Sequence, residues 1–138
     1  MGLNLFRFFR NIRVIRRRLT VLGIESSCDD TAVALVRDDK SVLSSRRYTD
    51  RETQRRLGGI SPREVALQHK EHLPRLLNEC MDEAGMSVSD VDAIAVTTRP
   101  GLVIALKEGI RLGLTLSRFD FSDFHFSFVY TFMYGITC

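Results

Sequence analysis

Between residues 20 and 118 the apolar positions fall into blocks that read as β-β-β-α-β-α. Leu19, Val21, Leu22 and Ile24 form a first apolar run, which stops at Glu25-Ser26-Ser27-Cys28-Asp29-Asp30-Thr31. A second run, Ala32 to Val36, starts at once. Two strands, at about 20–25 and 31–36, joined by a short polar turn account for this pattern. Arg37-Asp38-Asp39-Lys40 makes a second polar turn, and Ser41 to Tyr48 reads as a third strand. Connections this short imply an antiparallel meander. Residues 49–60 are charged and end in Leu57-Gly58-Gly59-Ile60, which reads as a mobile loop with a glycine hinge.

Ser61-Pro62-Arg63-Glu64 marks a helix start: Ser61 as cap, Pro62 at the first helical position, Glu64 completing a capping box. Val65, Leu73, Leu76, Leu77, Cys80, Met81 and Ala84 then recur at helical spacing. Pro74 is expected to kink this helix and Gly85 to end it. His69 and His72 share a face, but no third ligand lies near them, so they read as core or surface histidines. Val91 and Ala93 to Val96 form a short buried strand which, coming after a helix, should pair in parallel. Thr97-Thr98-Arg99-Pro100-Gly101-Leu102 opens a second helix, about 102–117. Its polar residues, Lys107, Glu108, Arg111 and Thr115, form one stripe, so the rest is expected to be mostly buried.

The two ends differ from this body. Residues 1–20 hold six arginines and no acid, with Arg7, Arg10, Arg13 and Arg16 recurring every three positions among Leu, Phe and Ile. A basic amphipathic helix on a membrane surface would have this pattern, and so would a mitochondrial presequence. The strand that follows immediately favours the presequence. The whole chain is +3, yet residues 21–138 carry 14 Lys and Arg against 17 Asp and Glu. The basic balance therefore belongs to the head and says little about nucleic-acid binding by the body. Beyond Arg118 six of the nine phenylalanines crowd together, and aromatics alternate at 124, 126, 128, 130 and 132, which is strand period. The expected organisation is a presequence at 1–19, a truncated lobe at 20–118 and a divergent tail at 119–138. Cys28, Cys80 and Cys138 are too scattered for a disulfide framework or a zinc site, which fits a reducing compartment. No apolar window is long enough for a transmembrane helix.

The candidate chemistry lies in two turns. Ser26, Ser27, Asp29, Asp30 and Thr31 offer hydroxyls, backbone N–H groups and carboxylates in one short stretch. Such a turn suits a phosphate together with a metal ion or a proton. It also suits a plain hairpin, because Ser and Asp favour turns. Pro100-Gly101-Leu102, leading into a helix N-terminus, is a second potential anion site.

Four segments carry a family resemblance. Gly23-Ile24-Glu25-Ser26-Ser27-Cys28-Asp29-Asp30-Thr31, Gly58-Gly59-Ile60-Ser61-Pro62, Gln68-His69 and Thr98-Arg99-Pro100-Gly101-Leu102 resemble, in order, motifs of the tRNA threonylcarbamoyltransferase family, formerly the glycoprotease or O-sialoglycoprotein endopeptidase family. The resemblance runs from about Val21 to Ser117, and the Cys-Asp-Asp-Thr form with the basic head looks like the mitochondrial branch. It implies an α/β fold, part of a ribonuclease-H-like or actin-like ATPase lobe, with the second lobe absent. It implies transfer of threonylcarbamoyl from threonylcarbamoyl-adenylate to N6 of adenosine 37 in tRNA. Asp29 and Asp30 would be the catalytic acids, and Ser27, Thr31 and Gly101 would bind substrate or phosphate. A homodimer is compatible with the family. Members hold a divalent metal largely through a His-x-x-x-His pair and a distal aspartate. Neither follows here, where the only later histidine is His125, so stable metal binding is not expected.

Those departures imply a truncated form, inactive alone. The alternatives are a non-catalytic binding or competitor module, and half of a sugar- or acyl-kinase-like enzyme. The head implies delivery to the mitochondrial matrix. Fusing residues 1–25 to a fluorescent protein is expected to give mitochondrial fluorescence, and a diffuse cytosolic signal would rule the presequence out.

Overall fold

The computed structural model describes residues 18–119 and 127–131. Three strands, β1 (Thr20–Glu25), β2 (Thr31–Arg37) and β3 (Val42–Tyr48), form the meander. After them come helices α1 (Arg51–Leu57) and α2 (Pro62–Ala84), strand β4 (Ala93–Thr97), helix α3 (Val103–Phe119) and strand β5 (Ser127–Thr131). The sheet order is β3-β2-β1-β4-β5. β1 and β2 pair antiparallel, with Gly23 opposite Ala34, and β4 runs parallel to β1 in the register Leu22–Ile94. The strand period read in the tail is realised in part. Ser127–Thr131 pairs in parallel with β4, Ala95 facing Val129. The head, residues 1–17, and the remainder of the tail lie outside the described residues.

One face of the sheet is the core. Leu22, Ile24, Val33, Leu35, Ile94 and Val96 point from three adjacent strands against Leu73, Leu76, Leu77, Cys80 and Met81 of α2. Ile110, Leu112 and Leu116 of α3 pack beside them. Period-2 burial in the strands and period-3.6 burial in α2 thus meet on one apolar layer. The opposite face is made of small side chains, Gly23, Ala32, Ala34, Ser45 and Ala95, around a shallow depression that no other described element covers.

Three expectations need correction. Residues 49–60 are not a loop throughout: α1 occupies 51–57. It buries none of its residues, so it leaves no apolar period to read; its ends hold it instead. The Asp50 carboxylate accepts the Thr53 N–H at 2.9 Å, and Gly58 closes the helix in the left-handed region at φ 70°. Those N-cap bonds also hold the exposed Asp50 carboxyl below its ordinary range. Second, Ser61 makes no side-chain cap bond to α2, so the expected capping box is absent there, although Pro62 does begin the helix and Gly85 does end it. The capping box that forms is at Ser87 and Asp90, before β4. Third, α3 is less buried than its composition implied. Val103, Ile104 and Leu114 are 68%, 43% and 43% exposed.

The two kinds of support should be separable. Asp50→Ala removes a cap worth about 0.5–2 kcal/mol and should speed amide exchange within α1 only. Ile94→Ala, at a fully buried position, should cost about 2–5 kcal/mol of global stability in urea unfolding.

Candidate functional site

The β1–β2 turn, residues 26–30, lies at the carboxyl ends of β1 and β4, where ligands of open α/β sheets commonly bind. Three sets of contacts fix it, each from a different part of the chain.

From α2 come Gln68 and His69, both buried. His69 Nε2 lies 3.0 Å from the Cys28 carbonyl, and Nδ1 lies 2.7 Å from the Thr31 hydroxyl. A carbonyl can only accept, so Nε2 carries the ring proton and Nδ1 takes the proton of Thr31. Gln68 Nε2 donates to the Asp29 carbonyl and to Thr31 Oγ1, each at 2.8 Å. Its Oε1 accepts the Asp50 N–H at 2.9 Å, which ties the entrance of α1 to the same hub. His69 has no exposed surface, and desolvation holds its pKa below the ordinary histidine value. The Cys28 carbonyl and the carboxylates of Glu25, Glu108 and Asp29 oppose that shift without overcoming it.

From the end of β1 comes Glu25. Its Oε1 accepts the Ser27 backbone N–H at 2.7 Å and also the Ser27 hydroxyl. Its Oε2 accepts the Thr97 hydroxyl at the end of β4. One carboxylate thereby joins the first turn to the strand that leads into the second.

From the second turn and α3 comes close backbone contact. The Leu102 N–H donates to the Ser27 carbonyl at 2.8 Å. A Cβ on Gly101 would lie 2.5 Å from that carbonyl oxygen, and its φ of 157° sits in the region that favours glycine. Gly109, in α3, lets the helix rest on Ser26. A Cβ there would lie 2.4 Å from Ser26 Oγ, which accepts the Gly109 N–H at 3.2 Å.

These contacts sort the predicted residues. Gly101 and Ser27 are brought together. Asp29 and Asp30 sit partly exposed on the outer side of the turn. Asp29 receives one long bond from Gln54 of α1 at 3.4 Å. Asp30 accepts the Thr49 hydroxyl and lies 3.6 Å from Arg47. Thr31 is fully buried, its hydroxyl shared by Gln68 and His69, and it supports the turn from beneath. His72 packs against Tyr48 with ring centres 3.8 Å apart and the planes tilted by 33°, so the two histidines have separate structural roles.

The sequence reading held Glu25 and Gln68 only as parts of motifs and Thr97 only as part of a turn, with no role assigned to any of them. An acid ending an apolar strand was the available signal for Glu25. As a divalent-metal site the turn is incomplete. Among the described residues no group of three or more His, Cys, Asp or Glu side chains is arranged to hold a metal. Both nitrogens of His69 and both oxygens of Glu25 are already engaged.

The family model for TsaD, tRNA N6-adenosine threonylcarbamoyltransferase, matches residues 41–119, more than half of the chain. The chain belongs to this family. A probable mitochondrial tRNA N6-adenosine threonylcarbamoyltransferase of Caenorhabditis elegans is 50% identical over 122 residues, covering 84% of this chain and 29% of the relative. A tRNA N6-adenosine threonylcarbamoyltransferase of Bacillus subtilis (strain 168) is 41% identical over 102 residues, 74% of this chain and 30% of its own. This TsaD-family chain thus spans less than a third of the curated relatives it matches. YeaZ from Pseudomonas aeruginosa superposes with a TM-score of 0.55 at 24% identity, covering 72% of this chain and 38% of that one, which shows the shared α/β fold. No helix among the described residues is long and apolar enough to cross a membrane.

The buried, neutral His69 gives a pH dependence of known sign. Its folded pKa lies below the unfolded value of about 6.5, so the unfolded chain binds more protons between the two. The contribution is present above about pH 6.5 and is lost as pH falls toward the lowered folded pKa. Urea unfolding at pH 7.5, 6.5 and 5.5 should show stability falling by no more than about 1.4 kcal/mol per pH unit from this group. His69→Gln should remove that part of the slope.

Proposed function

We propose that this chain forms one wall of a threonylcarbamoyl-transfer site acting on mitochondrial tRNA, in the matrix. The observation that carries the reading is the junction of the two turns, Leu102 bonded to Ser27 with Gly101 pressed against it. That junction joins the first turn, at Ser27, to the start of α3. The first N–H groups of a helix lack intrahelical partners and favour an anion such as an adenylate phosphate. Asp29 and Asp30, partly exposed toward α1 and β3 on the same turn, are the candidate acids. Gly101 permits the close approach, and Thr31 holds the turn in place. The probable mitochondrial relative of Caenorhabditis elegans and the arginine-rich head support the compartment.

A single wall orients one side of a ligand. The match covers 29% and 30% of these two relatives, and we assign the remaining walls of the cleft to the rest of their sequence. Orienting both reactants supplies about 7–11 kcal/mol in well-built sites, and losing even about 4 kcal/mol is about a thousandfold in rate. Among the described residues no donor set completes a metal site, and no step of the reading runs through a metal.

Purified 138-residue chain, incubated with threonylcarbamoyl-adenylate and unmodified tRNA, should therefore modify adenosine at least about a thousandfold more slowly than the Bacillus subtilis relative. Transfer within tenfold of that relative, abolished by Asp29→Ala, would show instead that the chain holds the whole machinery.

A further inference from the structure

Ser27 has two hydrogen-bond donors, its backbone N–H and its hydroxyl, and Glu25 Oε1 accepts both. The other carboxylate oxygen is held by Thr97, so Glu25 is anchored to both strands that end at the site. The Ser27 carbonyl is in turn occupied by the Leu102 N–H. Of the polar groups of Ser27, only the lone pairs of its hydroxyl are left for a ligand, and a hydroxyl whose proton is committed can only accept. A fixed carboxylate directly behind it adds negative potential at that corner. The residue is partly exposed, so a ligand can approach it.

We propose that Glu25 is a positioning residue that makes Ser27 a hydrogen-bond acceptor. This corner of the site then takes an O–H or N–H group of the ligand, such as a ribose hydroxyl or an amine, and turns phosphate oxygens away toward the start of α3. The proposal rests on the reading of the cleft as a nucleotide-binding wall and assigns a polarity within it. It revises the part expected of Ser27, which becomes a selector for donor groups. Glutamine can keep this arrangement: Oε1 still accepts from Ser27, and the amide nitrogen donates to Thr97 Oγ, which as a hydroxyl can accept. Alanine cannot.

The test follows the Ser27 amide in proton–nitrogen NMR spectra of the full chain titrated with inorganic phosphate and with adenosine 5′-monophosphate. In the wild type, adenosine 5′-monophosphate should move the Ser27 signal while inorganic phosphate leaves it in place. In Glu25→Ala, both Ser27 donors are released and a negative charge is gone. Its amide should exchange at least tenfold faster, and inorganic phosphate should now move it, with an apparent affinity at least tenfold above the wild type's. A merely structural role predicts only loss of binding, the opposite direction. Glu25→Gln should retain the wild-type Ser27 shift and slow exchange, and it serves as the folded comparison should the alanine variant unfold. The proposal is overturned if inorganic phosphate moves wild-type Ser27 as strongly as the nucleotide does, or if Glu25→Gln loses the protected Ser27 amide. Should adenosine 5′-monophosphate move no amide in either turn, the nucleotide-wall reading fails. The Ser27 exchange rate and the phosphate response of the two variants still decide the role of Glu25.

Discussion

The site depends on a neutral imidazole with no access to water. His69 gives its one proton to the Cys28 carbonyl and receives one from Thr31. Both ring nitrogens are satisfied without charge, which allows the ring to sit in the core at all. Gln68, its neighbour, reaches the same turn along with β3 and the entrance of α1. Two adjacent residues of one helix thus convert the packing of α2 on the sheet into the shape of a turn. The apolar layer beneath supplies the force, and the Gln-His pair translates it into position.

The opposite side of the turn is shaped by close approach. Gly101 and Gly109 each occupy a place where a Cβ would collide with the turn, one with the backbone of Ser27 and the other with the side chain of Ser26. Glu25 and Thr97 join the ends of β1 and β4. The turn is therefore held by hydrogen bonds from α2, by a carboxylate clasp from the strands, and by bare backbone from the second turn and α3. Asp29 and Asp30, by contrast, project from the rim with only peripheral partners, and ordered support beneath exposed acids is the arrangement a preorganised site requires.

Much of the fold could be read along the chain because its signals are local. Two apolar runs split by a polar turn marked β1 and β2, a proline and a glycine bracketed α2, and a helix before β4 implied the parallel pairing seen between Leu22 and Ile94. α1 escaped because it buries nothing, and a helix sustained by its caps has no apolar period. The exposed Val103 and Ile104 were invisible for the converse reason: an apolar residue announces that it needs a cover without saying where the cover comes from. At the site, the motif residues Ser27, Asp29 and Gly101 stood out through the family resemblance. The contacts that support them did not. The Glu25–Thr97 and Ser26–Gly109 bonds join positions 72 and 83 residues apart, and no pattern within a window of one turn or one strand can register them.

Those separations also set an order of events during synthesis. The β1–β2 hairpin is local and can pair as soon as it leaves the ribosome. Its turn cannot take its working shape then, because Gln68 and His69 follow about 40 residues later and Leu102 and Gly109 later still. The acidic mouth is the earliest part of the body to be translated and the last to be set. A nascent chain stalled before Leu102 would display a folded meander with an unlatched turn, a length-dependent maturation in which α3 is the final latch.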